Sequence, residues 1–132
     1  MIRAPRDSVA AGLNKIATHT TGDLLRAYAV YYRTLRPLRE HYVIAPFETV
    51  TTDFGRIIDA VNRRFGTSFD TIDGDRHRSL SKAFLAQEKL DAVGGQPPAH
   101  RVARFDDHPT LTERAEQEHA AFLALARDDL TA

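Results

Sequence analysis

The chain is 132 residues long, a size for one domain with a core of modest burial. A composition of 42% hydrophobic and 27% charged residues excludes a disordered or fibrous chain, and 18 basic against 18 acidic residues leave no net field to favour nucleic acid or anionic lipid. Cysteine is absent, which removes disulfides, thiolate nucleophiles and thiolate metal sites together.

The charges are unevenly placed. Arg3, Arg6, Lys15, Arg26, Arg33, Arg36 and Arg39 outweigh Asp7, Asp23 and Glu40 near the start, while the stretch from Asp106 onward is acidic. A basic N-terminal part suits a small anionic ligand or, more simply, a solvated helix face. No apolar run approaches the roughly 20 residues that span a bilayer. Met1 to Asp7 lacks the apolar core of a signal peptide, so the cytoplasm is the default expectation.

In chain order, Met1-Ile2 reads as the tail of a buried strand, and Pro5 turns the chain. Asp7 or Ser8 is the expected N-cap of a helix carrying Val9, Ala10, Leu13 and Ile16. Gly12 weakens that helix by about 1 kcal/mol relative to alanine, which implies close packing or a short element. Thr18 to Gly22 reads as a loop, with Thr20 or Thr21 capping a second helix. Its stripe is Leu24, Tyr28, Tyr31 and Leu35, widened by Leu25 and Tyr32. Arg36-Pro37 ends or kinks it.

Tyr42 to Ala45 is short, apolar and β-branched, as in a strand buried on both faces. Thr51-Thr52-Asp53 offers caps for a third helix with inner face Phe54, Ile57, Ile58, Val61 and Phe65, stopped by Gly66. Thr67 to Arg78 reads as a loop around the Asp73-Gly74 turn. A helix over Leu80 to Val93 comes next, with inner face Phe84, Leu85 and Leu90, and then the Gly94-to-Pro98 linker. The last helix starts near Thr110 after Asp107-His108-Pro109, carried by Leu111, Ala115, Phe122 and Leu125. A lone strand and a strand stub cannot satisfy their own backbone groups, so the chain reads as part of a larger α/β unit.

The opening Ile2-to-Val9 segment is a strand end, a turn and a helix start with two arginines. Helix N-terminal amides and a guanidinium together make an anion site plausible on physical grounds, although surface arginines at such a junction are common. Arg3-Ala4-Pro5-Arg6-Asp7-Ser8-Val9-Ala10-Ala11 resembles the R-x-P-R-D-x-x-x-S segment of the P-loop sulfotransferases. Val43-Ile44-Ala45-Pro46-Phe47-Glu48-Thr49-Val50 is similar to that family's strand ending in aromatic–Glu–Asp–Leu, and the helix Phe54 to Phe65 with Gly66 lies at a similar spacing after it.

The resemblance covers residues 1 to about 66. It implies an α/β fold: a partial P-loop NTPase-like three-layer arrangement in which this chain is mostly helical with one or two short strands. Residues 1–93 would be the C-terminal part of a sulfotransferase-like domain, 94–109 a linker and 110–132 a C-terminal helix. The implied co-substrate is phosphoadenosine phosphosulfate, with Arg3 on its 3′-phosphate and Phe47 at an aromatic position near the adenine. The family's phosphate-binding serine falls at Ala11, and Ser8, one turn earlier, is the substitute, unless it only caps the helix. Glu48 matches an acid read as structural. Arg76 to Lys82 is basic without reproducing the family's later phosphate-closing loop.

The family's glycine-threonine-rich, lysine-bearing loop and its catalytic base lie upstream of the R-x-P-R-D segment, so no catalytic residue is assigned here. The expectation is a truncated homologue, a C-terminal fragment or a mis-started reading frame. Transfer to a hydroxyl or amine acceptor would need that missing cradle of amides and cation. The isolated chain is therefore expected to show no calorimetric affinity for adenosine 3′,5′-bisphosphate. A second reading is a non-enzymatic helical module whose strand edge and apolar faces pair with another chain or a second copy. No metal is expected: the six histidines fall in no paired spacing, and Glu116-x-x-His119 is a single step of a two-step motif.

Overall fold

The computed structural model describes residues 1–91 and 100–131. Among these residues six α-helices succeed one another: α1 Pro5–Lys15, α2 Thr21–Leu35, α3 Phe47–Thr52, α4 Phe54–Phe65, α5 Gly74–Asp91 and α6 Pro109–Thr131. Short 3-10 helices cover Arg36–His41 and Phe105–Asp107.

The core lies where α2 and α6 run against each other and α1 leans on both. Leu25, Tyr28, Ala29 and Tyr32 are buried on α2, whereas Tyr31 of the expected stripe is exposed and Leu24 and Leu35 are only partly buried; Ala115, Phe122 and Ala126 are buried on α6, and Val9 and Leu13 on α1. Phe122 presents its ring to Tyr32 at a centroid distance of 5.0 Å. A Cβ at Gly12 would lie 3.1 Å from Leu24 Cδ1, so this glycine marks a close approach of α1 to α2. Thr20 and Asp23 form a reciprocal capping box at the start of α2: the Asp23 amide donates to Thr20 Oγ1 and the Thr20 amide to the Asp23 carboxylate. The Thr20 hydroxyl, and after it the Thr20 amide, donate to Asp23 Oδ2 and hold that carboxyl below its ordinary pKa.

The uneven charge resolves inside the fold. Arg6 pairs with Glu116 at 3.0 Å, Arg36 with Glu118 and Arg39 with Asp129, so basic N-terminal elements meet the acidic α6. Arg101 ties the segment before α6 to α1. Its guanidinium donates to the carbonyls of Leu13, Ile16, Ala17 and His19, satisfying acceptors that the end of α1 leaves open.

The α/β expectation is overturned. Among the described residues there is no strand and no sheet, hence no three-layer core; one parallel bridge, Ile2 to Pro46, is all that forms. The Ile2 amide donates to the Ala45 carbonyl at 2.8 Å and the Phe47 amide to the Ile2 carbonyl at 2.7 Å. Beyond that pair the backbone groups go to side chains. Tyr28 donates its hydroxyl to the Arg3 carbonyl at 2.7 Å, Tyr32 to the Met1 carbonyl at 3.2 Å, and the Ile44 amide donates to Asp129 Oδ2 at 2.9 Å. Two tyrosines one turn apart on α2 thus reach alternate carbonyls of an extended segment, the role a neighbouring strand would fill. Proline at 46 has no amide to donate, and α3 begins immediately after it.

Tyr28→Phe is expected to cost about 1–2 kcal/mol, the value of a hydrogen bond whose carbonyl is left unpaired, and Tyr32→Phe less. Burial raises the Tyr28 phenol pKa above its ordinary 10.0. The folded state therefore keeps a proton that the unfolded chain loses, and stability present below pH 10 falls as pH rises beyond it. Urea melts from pH 8 to 11 check this: the alkaline loss is expected to shrink in Tyr28→Phe, and an unchanged slope in that variant would contradict it.

Other boundaries move. The first helix begins at Pro5 with Ala4 at its N-cap and no side-chain cap, so neither Asp7 nor Ser8 caps it. A short helix, α3, occupies the turn leaving Phe47. On α4, Ile57 is buried but Phe54 and Phe65 are exposed; Gly66 ends the helix at φ +64°. The Asp73-Gly74 signal is a helix start: Asp73 Oδ1 accepts from the Arg76 amide at 2.8 Å, and α5 runs from Gly74. Arg76 to Arg78, expected at the end of a loop, therefore lie on α5 with the rest of the basic stretch to Lys82. The expected inner face of Phe84, Leu85 and Leu90 and the Gly94-to-Pro98 linker fall outside the described side chains. No helix among the described residues is long and apolar enough to cross a membrane.

Candidate functional site

The two segments that carry the motifs meet at the Ile2–Pro46 bridge. Because the pairing is parallel, both chains leave it in the same direction, and both turn into helices through a proline. Pro5 is the first residue of α1, and Pro46 precedes α3. Pro5 suits that position because its fixed φ is helical and its missing amide is one that a helix start leaves unbonded.

Arg3 sits between the two turns. Its carbonyl is held by Tyr28, and its guanidinium lies over the Phe47 ring, 4.6 Å from the centroid. Arg3 Nε is shut off from solvent and, among the described residues, has no acceptor. A buried cationic donor without a partner is costly, which makes this one of the few side-chain groups in the fold that call for a bound acceptor. At the start of α1 the Ser8 amide bonds the Ala4 carbonyl, so the amides of Arg6 and Asp7 are the donors left open, and no side chain caps them. Arg6 lies over the Phe105 ring at 4.8 Å with its Nε on Glu116.

Arg3 and Phe47 are thus brought together. Ser8 lies one turn into α1, on the wall of a shallow groove it shares with Val9, Leu24, Tyr28 and Tyr31, and its hydroxyl has no hydrogen-bond partner among the described residues. Ala11 is half-buried on α1 and offers no hydroxyl. Glu48 is exposed in the first turn of α3; its charge acts on His119 of α6, opposing the burial that lowers the pKa of that imidazole. Sequence reasoning missed Tyr28 as the anchor of the Arg3 backbone and Arg6 as a second arginine stacked on an aromatic ring. The spacing of Tyr28 and Tyr32 was visible, but it is equally the signature of packing.

The other arginine-rich groove is structural. Arg39, Arg63 and Arg64 surround the end of α6, donating to the Asp129 carboxylate, to the Asp129 and Leu125 carbonyls and to the Tyr42 carbonyl. The negative end of the helix dipole already occupies that place, so a further anion is disfavoured there.

Comparison with models of known families, with curated proteins and with solved structures found no match to this chain.

Proposed function

We propose that this is a sulfotransferase-like protein in which Arg3, lying on Phe47, receives the 3′-phosphate of phosphoadenosine phosphosulfate together with the open amides at the start of α1 and Ser8. Sulfuryl transfer to a hydroxyl or amine acceptor would need, beyond these groups, further amides and a cation to stabilise the charge on the phosphosulfate. No residue of this chain is given a catalytic role. What carries the reading is one juxtaposition: two motif segments far apart in sequence pair in parallel, and the arginine of one lies on the aromatic residue of the other with a buried Nε that lacks an acceptor. The second reading, a module pairing through an open strand edge, is weakened because tyrosine hydroxyls and Asp129 take the backbone groups of that edge.

One guanidinium and two amides against the freedom lost on binding support a dissociation constant of about 1 mM, or about −4 kcal/mol. That is too weak for ordinary calorimetry and readable by NMR titration. Adenosine 3′,5′-bisphosphate is expected to bind at least fivefold more tightly than adenosine, with the advantage lost in Arg3→Ala. Equal affinities for adenosine and its bisphosphate, or micromolar binding indifferent to Arg3→Ala, would overturn the reading.

A further inference from the structure

We infer that Phe47 is a platform for the Arg3 guanidinium and not a seat for a base, so that the site takes a phosphomonoester whatever sugar or base carries it. This rests on the phosphate reading of Arg3. One face of the Phe47 ring is covered by the guanidinium at 4.6 Å and so is closed to a base. The same stacking offsets part of the desolvated charge but supplies no acceptor to Arg3 Nε, which stays unpartnered among the described residues. Arg3 is fixed from two sides, its carbonyl by the Tyr28 hydroxyl and its side chain by Phe47, and the Phe47 amide is itself bonded to the Ile2 carbonyl. Few rotamers remain to be lost when an anion arrives, which is how a positioning residue adds affinity without touching the ligand. Phe47 supplies no polar group, so any specificity here comes from charge and geometry at the phosphate.

The test compares inorganic phosphate with adenosine 3′,5′-bisphosphate on the wild type, Phe47→Leu and Phe47→Tyr. Phe47→Leu is expected to weaken both probes by the same factor, about three- to tenfold, and Phe47→Tyr to retain wild-type binding of both. A loss confined to the nucleotide, with phosphate unaffected, would mean that the ring stacks the base and would overturn the inference. A separate readout needs no ligand: the Arg3 Nε–H resonance is expected to be ring-current shifted in the wild type and Phe47→Tyr, and to lose that shift in Phe47→Leu. If neither probe binds the wild type, the phosphate reading fails and this resonance still decides whether Phe47 holds Arg3; an Nε–H shift insensitive to Phe47→Leu sinks the inference by itself.

Discussion

Asp129→Ala is expected to destabilise the protein by about 3–5 kcal/mol, the cost of removing one partner from a buried charge cluster, against a total of about 5–15 kcal/mol for a domain. The Asp129 side chain is 7% exposed and accepts from Arg39, from Arg64 and from the Ile44 amide. Its removal leaves two guanidinium groups facing each other across a vacated site and orphans a buried amide. It also unfastens α6 from α4 and from the extended Tyr42–Ala45 segment. The other ion pairs decide by contrast: Arg6–Glu116 is about half exposed on both sides, and Glu116→Ala is expected to cost under about 1 kcal/mol. Urea melts of both variants at pH 7 check the pair, and a loss below about 1 kcal/mol for Asp129→Ala would place this cluster among ordinary surface bridges.

Phe122→Ala is the second large effect, expected at about 3–5 kcal/mol. Phe122 is 2% exposed, meets Tyr32 edge-on and borders an apolar recess of about 210 Å³ shared with Ile2, Leu35 and Ile44. Truncation enlarges that recess instead of letting the surroundings collapse into it. Because Tyr32 holds the Met1 carbonyl, the loss spreads to the Ile2 pairing, and hydrogen exchange at the Ile2 and Phe47 amides should quicken with it. Phe122→Leu, which keeps most of the volume, is expected to cost under about 1.5 kcal/mol. Thermal melts showing the two variants equal would contradict a packing role.

The helices were legible wherever a period or a cap was strong. The second helix, its Thr20 cap, the α4 stop at Gly66 and the last helix around Phe122 lie where pattern put them, but the buried face of α2 is centred on Leu25, Tyr28 and Tyr32, with Tyr31 of the expected stripe exposed. The fold class was not legible, because Tyr42 to Ala45 is extended and partly buried as a strand would be, yet its outer amide goes to a carboxylate 85 positions away. No local pattern announces that a tyrosine hydroxyl or a distant aspartate will replace a neighbouring strand. The start of α5 was misplaced for a related reason: Asp-Gly is a turn signal and a helix cap alike, and the conformation of the next few residues decides between them. Of the candidate site, the resemblance named Arg3 and Phe47 but gave them separate places, one at the 3′-phosphate and one near the adenine. That the pair would stack on each other, leaving the arginine Nε buried and without an acceptor, depends on three-dimensional proximity alone.

The location of the anion is the point on which the functional reading turns, and amide chemical shifts report it directly. During titration with adenosine 3′,5′-bisphosphate, the amides of Arg6, Asp7 and Ser8 and the Arg3 Nε–H are expected to move first and furthest. Shifts concentrated instead on Arg39, Arg63 and Arg64 at the end of α6, or on Arg101, would contradict the account.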